Sequence, residues 1–342
     1  MAKFTLSQSK VLEQYTKVAQ AADIISYSSK TNQIVTGMLE KETECMFSVH
    51  FKNELKHIKD HSRVIFLAQG WNKNEITELI ALGLRWFTVD NETDLDVLID
   101  FLKSNDVTVN VLLRLKLKEN TLRTERYFVF GMTSDVINRR IQELRNNTNI
   151  NQLGIHFHRK TQNMAEWNYV YELQHVLTKE TLEILNVLNI GGGLPSEYAN
   201  TNMKVVDGIF TKIRELRAWL QSKNIRLIIE PGRFIAAPAG KLITQIIAIH
   251  DNTIIVNASV YNSDMDAVIV PVKLLVENEV SKEEGRPYVI KGITPCSMDL
   301  FRYRVYLKEP NVGDELIFLN AGAYNFTTDF CDLEKIETEV IE

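Results

Sequence analysis

The 342-residue chain has few cysteines, no long apolar run and no block of basic residues. Its three cysteines, Cys45, Cys296 and Cys331, are widely spaced, which argues against a disulfide framework or a cysteine metal site and favours free thiols in the cytoplasm. A net charge of −5 without a basic cluster argues against nucleic acid or an anionic membrane as a partner. The N-terminus lacks the apolar core of a signal peptide, and no segment approaches the length of a membrane span. We therefore expect a cytoplasmic protein without a metal.

Short apolar segments typical of strands alternate with amphipathic helical segments through the first two thirds of the chain. Each strand-like segment is apolar on both faces, which favours a parallel (β/α)8 barrel and leaves a doubly wound open sheet as the alternative. We predict one helix capped by Ser134 and Asp135, and another over residues 205–220. The predicted barrel strands are residues 23–28, 45–50, 63–69, 85–90, 109–117, 153–158, 182–190 and 225–230.

After about residue 245 the pattern becomes β-rich, with segments separated by Pro, Gly, Asn and Asp. We interpret this part as an all-β domain that begins near Pro238–Gly240. The predicted organisation is a barrel over residues 21–243 and a β domain over 244–342, which the N-terminal segment 1–20 joins. The β-rich segments are residues 242–251, 253–261, 266–276, 287–295, 302–307 and 314–324.

Two motifs, Asn189–Gly193 and Glu230–Arg233, each follow a strand-like segment. Glycines at the end of a strand let backbone N–H groups approach an anion closely, and a helix that starts there adds a favourable dipole. Arg233 adds a positive charge suited to phosphate oxygens. Glu230, beside such a cradle, is placed to pair with a ring nitrogen and keep it protonated. Together these features predict a site for pyridoxal phosphate.

These motifs belong to a longer series whose order resembles that of a known family. The chain is similar, from Ile25 to about Tyr324, to the ornithine/diaminopimelate/arginine decarboxylases of the alanine-racemase-like fold. The resemblance implies a barrel that binds pyridoxal phosphate, a C-terminal β domain, and a head-to-tail homodimer in which the second subunit contributes the cysteine loop to a shared active site. The motifs are Y-S-S-K-T-N, V-D-N-E-T-D-L, G-I-H-F-H, N-I-G-G-G, E-P-G-R, V-N-A-S-V-Y, G-I-T-P-C-S-M-D and G-A-Y.

The resemblance assigns Lys30 as the lysine that bonds the cofactor. Lys30 ends the first predicted barrel strand, at the rim where barrel active sites form, and an amine desolvated there can lose its proton. By the same resemblance His158 stacks on the cofactor ring, Glu230 faces the ring nitrogen, and Tyr324 reaches the phosphate from the β domain. The complete set of cofactor contacts that it implies is Lys30, His158, Thr161, Gly191, Gly192, Gly193, Glu230, Gly232, Arg233 and Tyr324.

Some positions depart from the family pattern. Thr161 stands where the family has a serine, and Arg159 and Lys160 precede it where glycines are usual, either as solvated loop residues or as extra positive charge near the site. Cys296 comes one place late in its loop. It is either the acid that reprotonates the substrate carbon or a buried small thiol. Strand alternation puts His156 on the same side as His158, which makes it a candidate neighbour of the pocket.

A further departure concerns the substrate. Diamine-forming members hold the distal ammonium with an aspartate on a strand that corresponds to residues 267–272, where this chain has no carboxylate, although Asp264 and Asp266 lie just before. An unpaired ammonium in an apolar pocket is costly, so a distally acylated diamino acid is expected. The chain resembles the decarboxylases of carboxylate-siderophore (rhizoferrin-type) assembly that act on N-citrylornithine. The residues expected to contact the substrate are His156, Arg126, Tyr261 and Asp299.

Other functions remain open at the level of sequence. The first alternative is decarboxylation of free ornithine, lysine, arginine or diaminopimelate. The second, from another class, is an isomerase that resembles alanine racemase, which shares the fold but releases no CO2. A non-catalytic pyridoxal-phosphate protein of the same barrel type normally lacks the β domain, whereas this chain has β-rich segments after the barrel.

Overall fold

The computed structural model describes residues 1–117 and 129–342. The chain divides into two compact units. The barrel unit comprises Thr16–Leu194 and Lys204–Gly232, and the sheet unit comprises Met1–Tyr15, Pro195–Met203 and Arg233–Glu342. The sheet unit thus begins before the boundary predicted at residue 244, because the long strand that starts at residue 240 is paired within the sheet.

Within the described residues, eight parallel strands form a closed barrel, which confirms the predicted (β/α)8 architecture. Each strand pairs with its neighbours in sequence, and pairing between the first and last strands closes the ring. Strand β1 (Lys3–Ser7) belongs to the sheet unit. The barrel strands are β2 (Ile24–Ser28), β3 (Met46–Val49), β4 (Val64–Ala68), β5 (Trp86–Val89), β6 (Val109–Arg114), β7 (Ile150–His156), β8 (Val187–Asn189) and β9 (Arg226–Ile229).

Most of the helices in the described chain connect successive barrel strands. Asparagine side chains cap several of them, as at Asn72 and Asn91, where the side-chain oxygen accepts backbone N–H groups of the first turn. The helices are α1 (Gln8–Ala19), α2 (Gln33–Glu42), α3 (Lys73–Ala81), α4 (Glu92–Lys103), α5 (Ser134–Leu144), α6 (Tyr169–Val176), α7 (Lys179–Ile184), α8 (Val206–Gln221), α9 (Arg233–Ala236), α10 (Val260–Ser263) and α11 (Asp266–Ile269).

Two details of the barrel differ from the sequence prediction. Thr133, rather than Ser134 or Asp135, is the N-cap residue of α5, and it makes no side-chain capping bond. The strand predicted over residues 182–190 is shorter, because Thr178 accepts the N–H of Thr181 and starts α7. Only Val187–Asn189 remains extended as β8.

The inside of the barrel is filled by apolar side chains from several of its strands. Ile65, Leu112, Val187 and Ile228 form a buried cluster. Gly154 on β7 leaves room for this cluster, since a Cβ there would lie 2.5 Å from Val187 Cγ2 and 2.6 Å from Leu112 Cδ2. The barrel is therefore a packed core, and chemistry is confined to its rim.

The sheet unit contains an eight-stranded mixed sheet, and the predicted C-terminal β domain is confirmed, with short helices added. The central strand, β10 (Gly240–His250), pairs antiparallel with β1 and with two other strands of the unit. The remaining strands are β11 (Thr253–Val256), β12 (Leu275–Val276), β13 (Arg286–Lys291), β14 (Leu300–Leu307), β15 (Glu315–Leu319) and β16 (Thr338–Ile341).

Two segments predicted to be β-rich are partly helical. Ser259 stops the first strand, because its side chain accepts the N–H of Tyr261 while Asn262 accepts the N–H of Ser259, and this reciprocal cap starts α10. In the second segment residues 266–269 form α11, and only Leu275–Val276 is extended. None of the helices in the described chain combines the length and the apolar character that a membrane crossing requires.

Candidate active site

Polar side chains gather where the parallel barrel strands end. Lys30 follows β2, His50 follows β3, Arg114 ends β6, His158 follows β7 and Glu230 follows β9. Because the strands are parallel, all these positions lie on the same rim of the barrel unit. This rim is the candidate active site.

Glu230 is the best-connected group of the rim. Its Oε1 accepts hydrogen bonds from Ser48 Oγ at 2.7 Å and from Asn189 Nδ2 at 2.8 Å, and its Oε2 lies 3.3 Å from His156 Nε2. Burial alone would raise the pKa of Glu230, but His156 and the hydrogen bond from Ser48 outweigh burial and hold this pKa well below its ordinary value. Glu230 is thus a buried, ionised carboxylate.

The two histidines of β7 and its end lie on the same side, as strand alternation predicts, while Phe157 between them packs against Tyr169 of α6 with ring centroids 4.9 Å apart. The Nδ1 atom of His158 accepts the N–H of Gly192 at 3.2 Å. Burial lowers the pKa of His158 to about 3, and the charges of Arg114 and Lys30 act in the same direction. His158 is therefore a neutral ring with its proton on Nε2.

His50, Ser48 and Asn189 are members of the rim to which the sequence prediction gave no role. Burial lowers the pKa of His50 to about 3, helped by the charge of Lys30. His50 lies two residues after Ser48, so strand alternation is the signal that would have put both on the inner face. Ser48 is fixed in turn by Ser26, whose Oγ lies 2.7 Å from Ser48 Oγ.

Lys30 lies in the short 3-10 turn Ser29–Thr31 that follows β2. Its charge adds to the effect of burial in lowering the pKa values of His50 and His158. The sequence argument expected a desolvated amine, whereas the Lys30 side chain is exposed. Burial raises the pKa of Glu54, and the charge of Lys30 lowers it only in part. The Oε1 atom of Glu54 accepts the N–H of His50 at 2.8 Å.

The glycine loop is closely packed against the rim. Gly191 and Gly193 have φ values of 64° and 100°, which favour glycine, and a Cβ on Gly192 would lie 2.6 Å from the carbonyl oxygen of Glu230. The N–H of Gly191 donates to Asn189 Oδ1 at 2.9 Å, and that of Gly192 donates to His158. Two of the three N–H groups predicted to cradle a phosphate are thus engaged within the rim.

Arg114 forms a buried ion pair with Asp90, with Nη1 3.0 Å from Oδ1. Its guanidinium also stacks over Phe130, 4.4 Å from the ring centroid. Asp90 additionally accepts the N–H of Gly131 at 3.2 Å, so it also anchors the backbone at residue 131. Arg126, a predicted substrate contact, lies outside the described residues.

The loop after β7 resolves the two interpretations of its basic residues. Arg159 is buried and pairs with Glu172, and its Nε lies 3.6 Å from Glu166 Oε2. Lys160 pairs with Glu166 at 2.7 Å. Both charges are therefore balanced by glutamates of the loop and of the following helix α6, and they are neither solvated residues nor extra positive charge offered to a ligand. Thr161, the predicted phosphate contact, is partly buried in the same loop.

In the sheet unit, the predicted phosphate ligand Arg233 is 4% exposed and already has partners. Its Nη1 pairs with Asp266 and lies 3.0 Å from Tyr198 Oη. The ring of Tyr324 lies below the guanidinium, with its centroid 4.9 Å from Cζ. The structure thus brings together Arg233 and Tyr324, which the sequence assigned separately to the cofactor phosphate. Gly232, the last residue of the barrel unit, has no room for a side chain, because a Cβ would overlap Thr31 Oγ1.

The cysteine loop is also in the sheet unit. Cys296 is half-exposed, and its Sγ lies 3.1 Å from Tyr261 Oη. Asp299 is fully buried, and its carboxylate accepts the N–H groups of Val260 and Thr294 and the hydroxyl of Thr294. The structure therefore places Tyr261 against the thiol, while Asp299 folds the loop.

Several buried polar atoms of the barrel rim have no hydrogen-bond partner among the described residues. They are Thr31 Oγ1, His50 Nδ1, Glu54 Oε2 and His156 Nδ1. Buried polar atoms are nearly always paired in proteins, so such a group of unpaired atoms around an ionised carboxylate is typical of a site built for a polar ligand.

Comparison with known proteins agrees with this geometry. The family model described as "Pyridoxal-dependent decarboxylase, pyridoxal binding domain" matches residues 8–237. Diaminopimelate decarboxylase of Aquifex aeolicus is 26% identical over 289 residues, which cover 77% of this chain and 66% of that protein.

Two further proteins define the range of relatives. The Staphylococcus aureus enzyme named 2-[(L-alanin-3-ylcarbamoyl)methyl]-2-hydroxybutanedioate decarboxylase is 22% identical over 303 residues, 80% of this chain and 75% of that protein. The crystal structure of lysine/ornithine decarboxylase from Vibrio vulnificus with cadaverine matches with a TM-score of 0.82 at 22% identity, and covers 100% of this chain and 95% of that one. The structural match shows a shared fold, and the family match over most of the chain shows that it belongs to the pyridoxal-dependent decarboxylases.

Proposed function

We propose that this protein removes the α-carboxylate of a distally acylated diamino acid such as N-citrylornithine, in carboxylate-siderophore assembly. The observation that carries the choice of substrate is the state of the carboxylates in residues 264–272. Asp266 is committed to Arg233, and burial, together with the neighbouring Asp266, raises the pKa of Asp264 well above its ordinary value. Neither group offers a free anion to a distal ammonium, so a substrate whose distal amine is acylated fits better.

The name of the Staphylococcus aureus relative supports this choice. It describes an alanine linked at its third carbon, through an amide, to a hydroxy acid with further carboxylates. This is a diamino acid acylated by a polycarboxylate. The charges of Arg159 and Lys160 do not add support, since Glu172 of α6 and Glu166 of the loop already balance them.

Pyridoxal phosphate is the cofactor of the family, and the residues of the rim fit it. When bound, it supplies an aldehyde that captures an amine and a ring that draws electrons away as CO2 leaves. Lys30 Nζ would hold the cofactor, and Glu230, the ionised carboxylate of the rim, would accept a hydrogen bond from its ring nitrogen. His158, neutral and fixed by Gly192, presents a flat ring. Cys296 Sγ would supply the proton that the substrate carbon needs after CO2 leaves.

We also infer a homodimer in which the cysteine loop of one subunit serves the site of its partner. Ile293 and Met298, which flank Cys296, are 49% and 57% exposed, and Phe326 and Phe330 of the same unit are 46% and 38% exposed. Exposed apolar side chains around a half-exposed thiol are typical of a surface that another chain covers.

A second candidate is decarboxylation of a free diamino acid. It is favoured by the names of several relatives, among them the Aquifex aeolicus diaminopimelate decarboxylase. Diaminopimelate carries a distal carboxylate as well as a distal ammonium. The two candidates are therefore distinguished by whether the protein prefers an acylated or a free diamino acid as substrate.

The test compares kcat/KM for N-citrylornithine, ornithine and diaminopimelate, with released CO2 as the readout. We expect the citryl substrate to be preferred at least about 100-fold, or roughly 2.8 kcal/mol of differential transition-state binding. Ornithine acetylated at its distal (δ) nitrogen, here called N-acetylornithine, is the matched control, because it removes the distal charge without adding carboxylates. The Lys30→Ala variant gives the background rate.

The outcomes separate the levels of the proposal. Equal or faster turnover of ornithine or diaminopimelate would reject the acylated substrate while leaving the decarboxylase intact. Racemisation of an amino acid without CO2 would favour the isomerase. Preference for N-acetylornithine over the citryl substrate would limit the claim to loss of the distal cation.

A further inference from the structure

The two oxygens of Glu230 have unequal surroundings. Oε1 accepts two neutral donors, Ser48 Oγ at 2.7 Å and Asn189 Nδ2 at 2.8 Å. Oε2 faces His156 Nε2 at 3.3 Å, and Oε2 has no other hydrogen-bond partner among the described residues. Oε2 is therefore the oxygen with capacity left for a ligand, and His156 is the residue that fixes its direction.

His156 is almost completely enclosed, with 1% of its surface exposed. An ionised carboxylate only accepts hydrogen bonds, so the proton of His156 that faces Glu230 is on Nε2. The opposite nitrogen, Nδ1, has no partner within the described part of the chain. Among the described residues, the contact with Glu230 is thus the side-chain hydrogen bond that orients the ring in this pocket.

Besides Lys30, which is exposed, three further charged or titratable groups of the described rim are paired or neutral. Arg114 on β6 is paired with Asp90. His50 after β3 and His158 after β7 have pKa values near 3, so both are neutral at physiological pH. His156 is therefore the titratable group that contacts the carboxylate directly.

We propose that His156 is a positioning residue that aims Oε2 of Glu230 and keeps this carboxylate ionised, so that the ring nitrogen of bound pyridoxal phosphate retains its proton. The inference rests on the cofactor and not on the identity of the amino-acid substrate. It assigns His156 to the cofactor, whereas the sequence prediction treated it as a contact of the substrate.

The experiment uses a pair of amide variants of similar polarity, His156→Gln and His156→Asn. The amide nitrogen of glutamine reaches the place of Nε2, whereas that of asparagine reaches the place of Nδ1 and leaves Oε2 without its donor. The holoenzyme is prepared with pyridoxal phosphate labelled with 15N in the ring, and the 15N chemical shift reports whether the ring nitrogen carries a proton. Glu230→Gln is the reference for loss of the anion.

We expect His156→Gln to keep the ring nitrogen protonated at pH 7.5, like the unsubstituted protein. In His156→Asn the pH at which the ring nitrogen loses its proton is expected to fall by at least about one unit, towards the Glu230→Gln value, with kcat lowered about tenfold or more and KM little changed. Ser48→Ala, which removes a donor from Oε1 only, should shift the ring nitrogen less than His156→Asn.

Identical 15N shifts and pH profiles for the Gln and Asn variants would overturn the proposal, and so would a ring nitrogen that stays protonated in both. If His156→Asn binds no cofactor, the Gln variant still decides, because the proposal requires it to match the unsubstituted protein. Failure of the unsubstituted protein to release CO2 from any amino acid would instead contradict the proposed function and leave this readout intact.

Discussion

The hydroxyl of Tyr261 and the thiol of Cys296 form a hydrogen bond, with 3.1 Å between Oη and Sγ. This hydrogen bond lowers the pKa of the Cys296 thiol and raises that of Tyr261 to about 12. The ring of Tyr261 is itself fixed, since it stacks on Phe330 with centroids 4.1 Å apart. A thiol whose pKa moves towards the working pH is a better proton donor than an ordinary cysteine.

The first prediction tests this hydrogen bond without turnover. Tyr261→Phe should raise the pKa of Cys296 towards its ordinary value and slow its alkylation by iodoacetamide at pH 7.5, by about tenfold for each unit of pKa gained. Alkylation is followed on the Cys296 peptide by mass spectrometry. The exposed Cys331 in the same sample is the internal control. An unchanged rate at Cys296 would show that Tyr261 does not control the thiol.

The second prediction concerns the role of Cys296 in the reaction. Cys296→Ala should still release CO2 but protonate the wrong carbon, so an aldehyde by-product appears and the correct amine forms roughly 100-fold more slowly. Chromatography of the products measures the ratio. Cys331→Ala is the matched variant and should give clean product. Clean product at a normal rate from Cys296→Ala would transfer the proton delivery to another group or to water.

The third prediction concerns the covalent lysine. Borohydride reduction of the protein with pyridoxal phosphate, followed by peptide mass mapping, should find the pyridoxyl group on Lys30. Lys41, which is exposed on α2 with 79% of its side chain accessible, is the matched control. Lys30→Ala should abolish the adduct and Lys41→Ala should leave it. An adduct on another lysine would show that Lys30 is not the residue that bonds the cofactor.

The fourth prediction is the dependence of stability on pH. His50 has a folded pKa of about 3 and an ordinary value of 6.5, so between these values the unfolded chain takes up a proton that the folded chain does not. Stability is therefore lost as the pH falls from about 6.5 towards 3. In the cofactor-free protein, His50→Asn should flatten the fall of the thermal midpoint between pH 6.5 and 4, and His158 accounts for part of what remains.

The control for this pH effect is His250→Asn, because the side chain of His250 is 84% exposed. It should leave the pH dependence of the thermal midpoint as it is in the unsubstituted protein. Equal slopes for His50→Asn and the unsubstituted protein would mean that His50 is protonated in the folded state.

The fifth prediction concerns two glycines that pack back to back in the sheet unit. A Cβ on Gly322 would overlap the carbonyl oxygen of Ala236 and lie 2.9 Å from the N–H nitrogen of Gly240, and these backbone atoms cannot move aside cheaply. Gly322→Ala should lower the free energy of unfolding by about 1–3 kcal/mol, measured by urea titration.

Gly37 provides the matched control for Gly322. It lies inside α2, and a Cβ there would meet nothing within 4 Å. Gly37→Ala should raise the free energy of unfolding by roughly 0.5–1 kcal/mol, because alanine loses less backbone entropy in a helix. Similar effects from the two substitutions would show that the packing around Gly322 is looser than described.

The sequence predicted the barrel because its strands are continuous apolar runs, and it predicted Lys30, His158 and Glu230 as members of one rim because each ends such a run. The sequence could not predict that the charge of Arg159 is balanced by an ion pair. Its partner Glu172 is thirteen residues further along, in helix α6 beyond an irregular loop, and no periodic pattern links the two residues. Likewise the two donors on Glu230 Oε1 come from β3 and β8, which only closure of the barrel brings together.

The pairing of β1 has a consequence for the order in which the protein forms during synthesis. Residues 3–7 pair with β10 on one side and with β16, at residues 338–341, on the other. At a translation rate of about 5–20 residues per second, on the order of tens of seconds separate the appearance of β1 from that of its last partner. We expect the first fifteen residues of a ribosome-bound chain arrested at residue 320 to stay open to proteases, and protection there would show that β1 finds its place without its final neighbour.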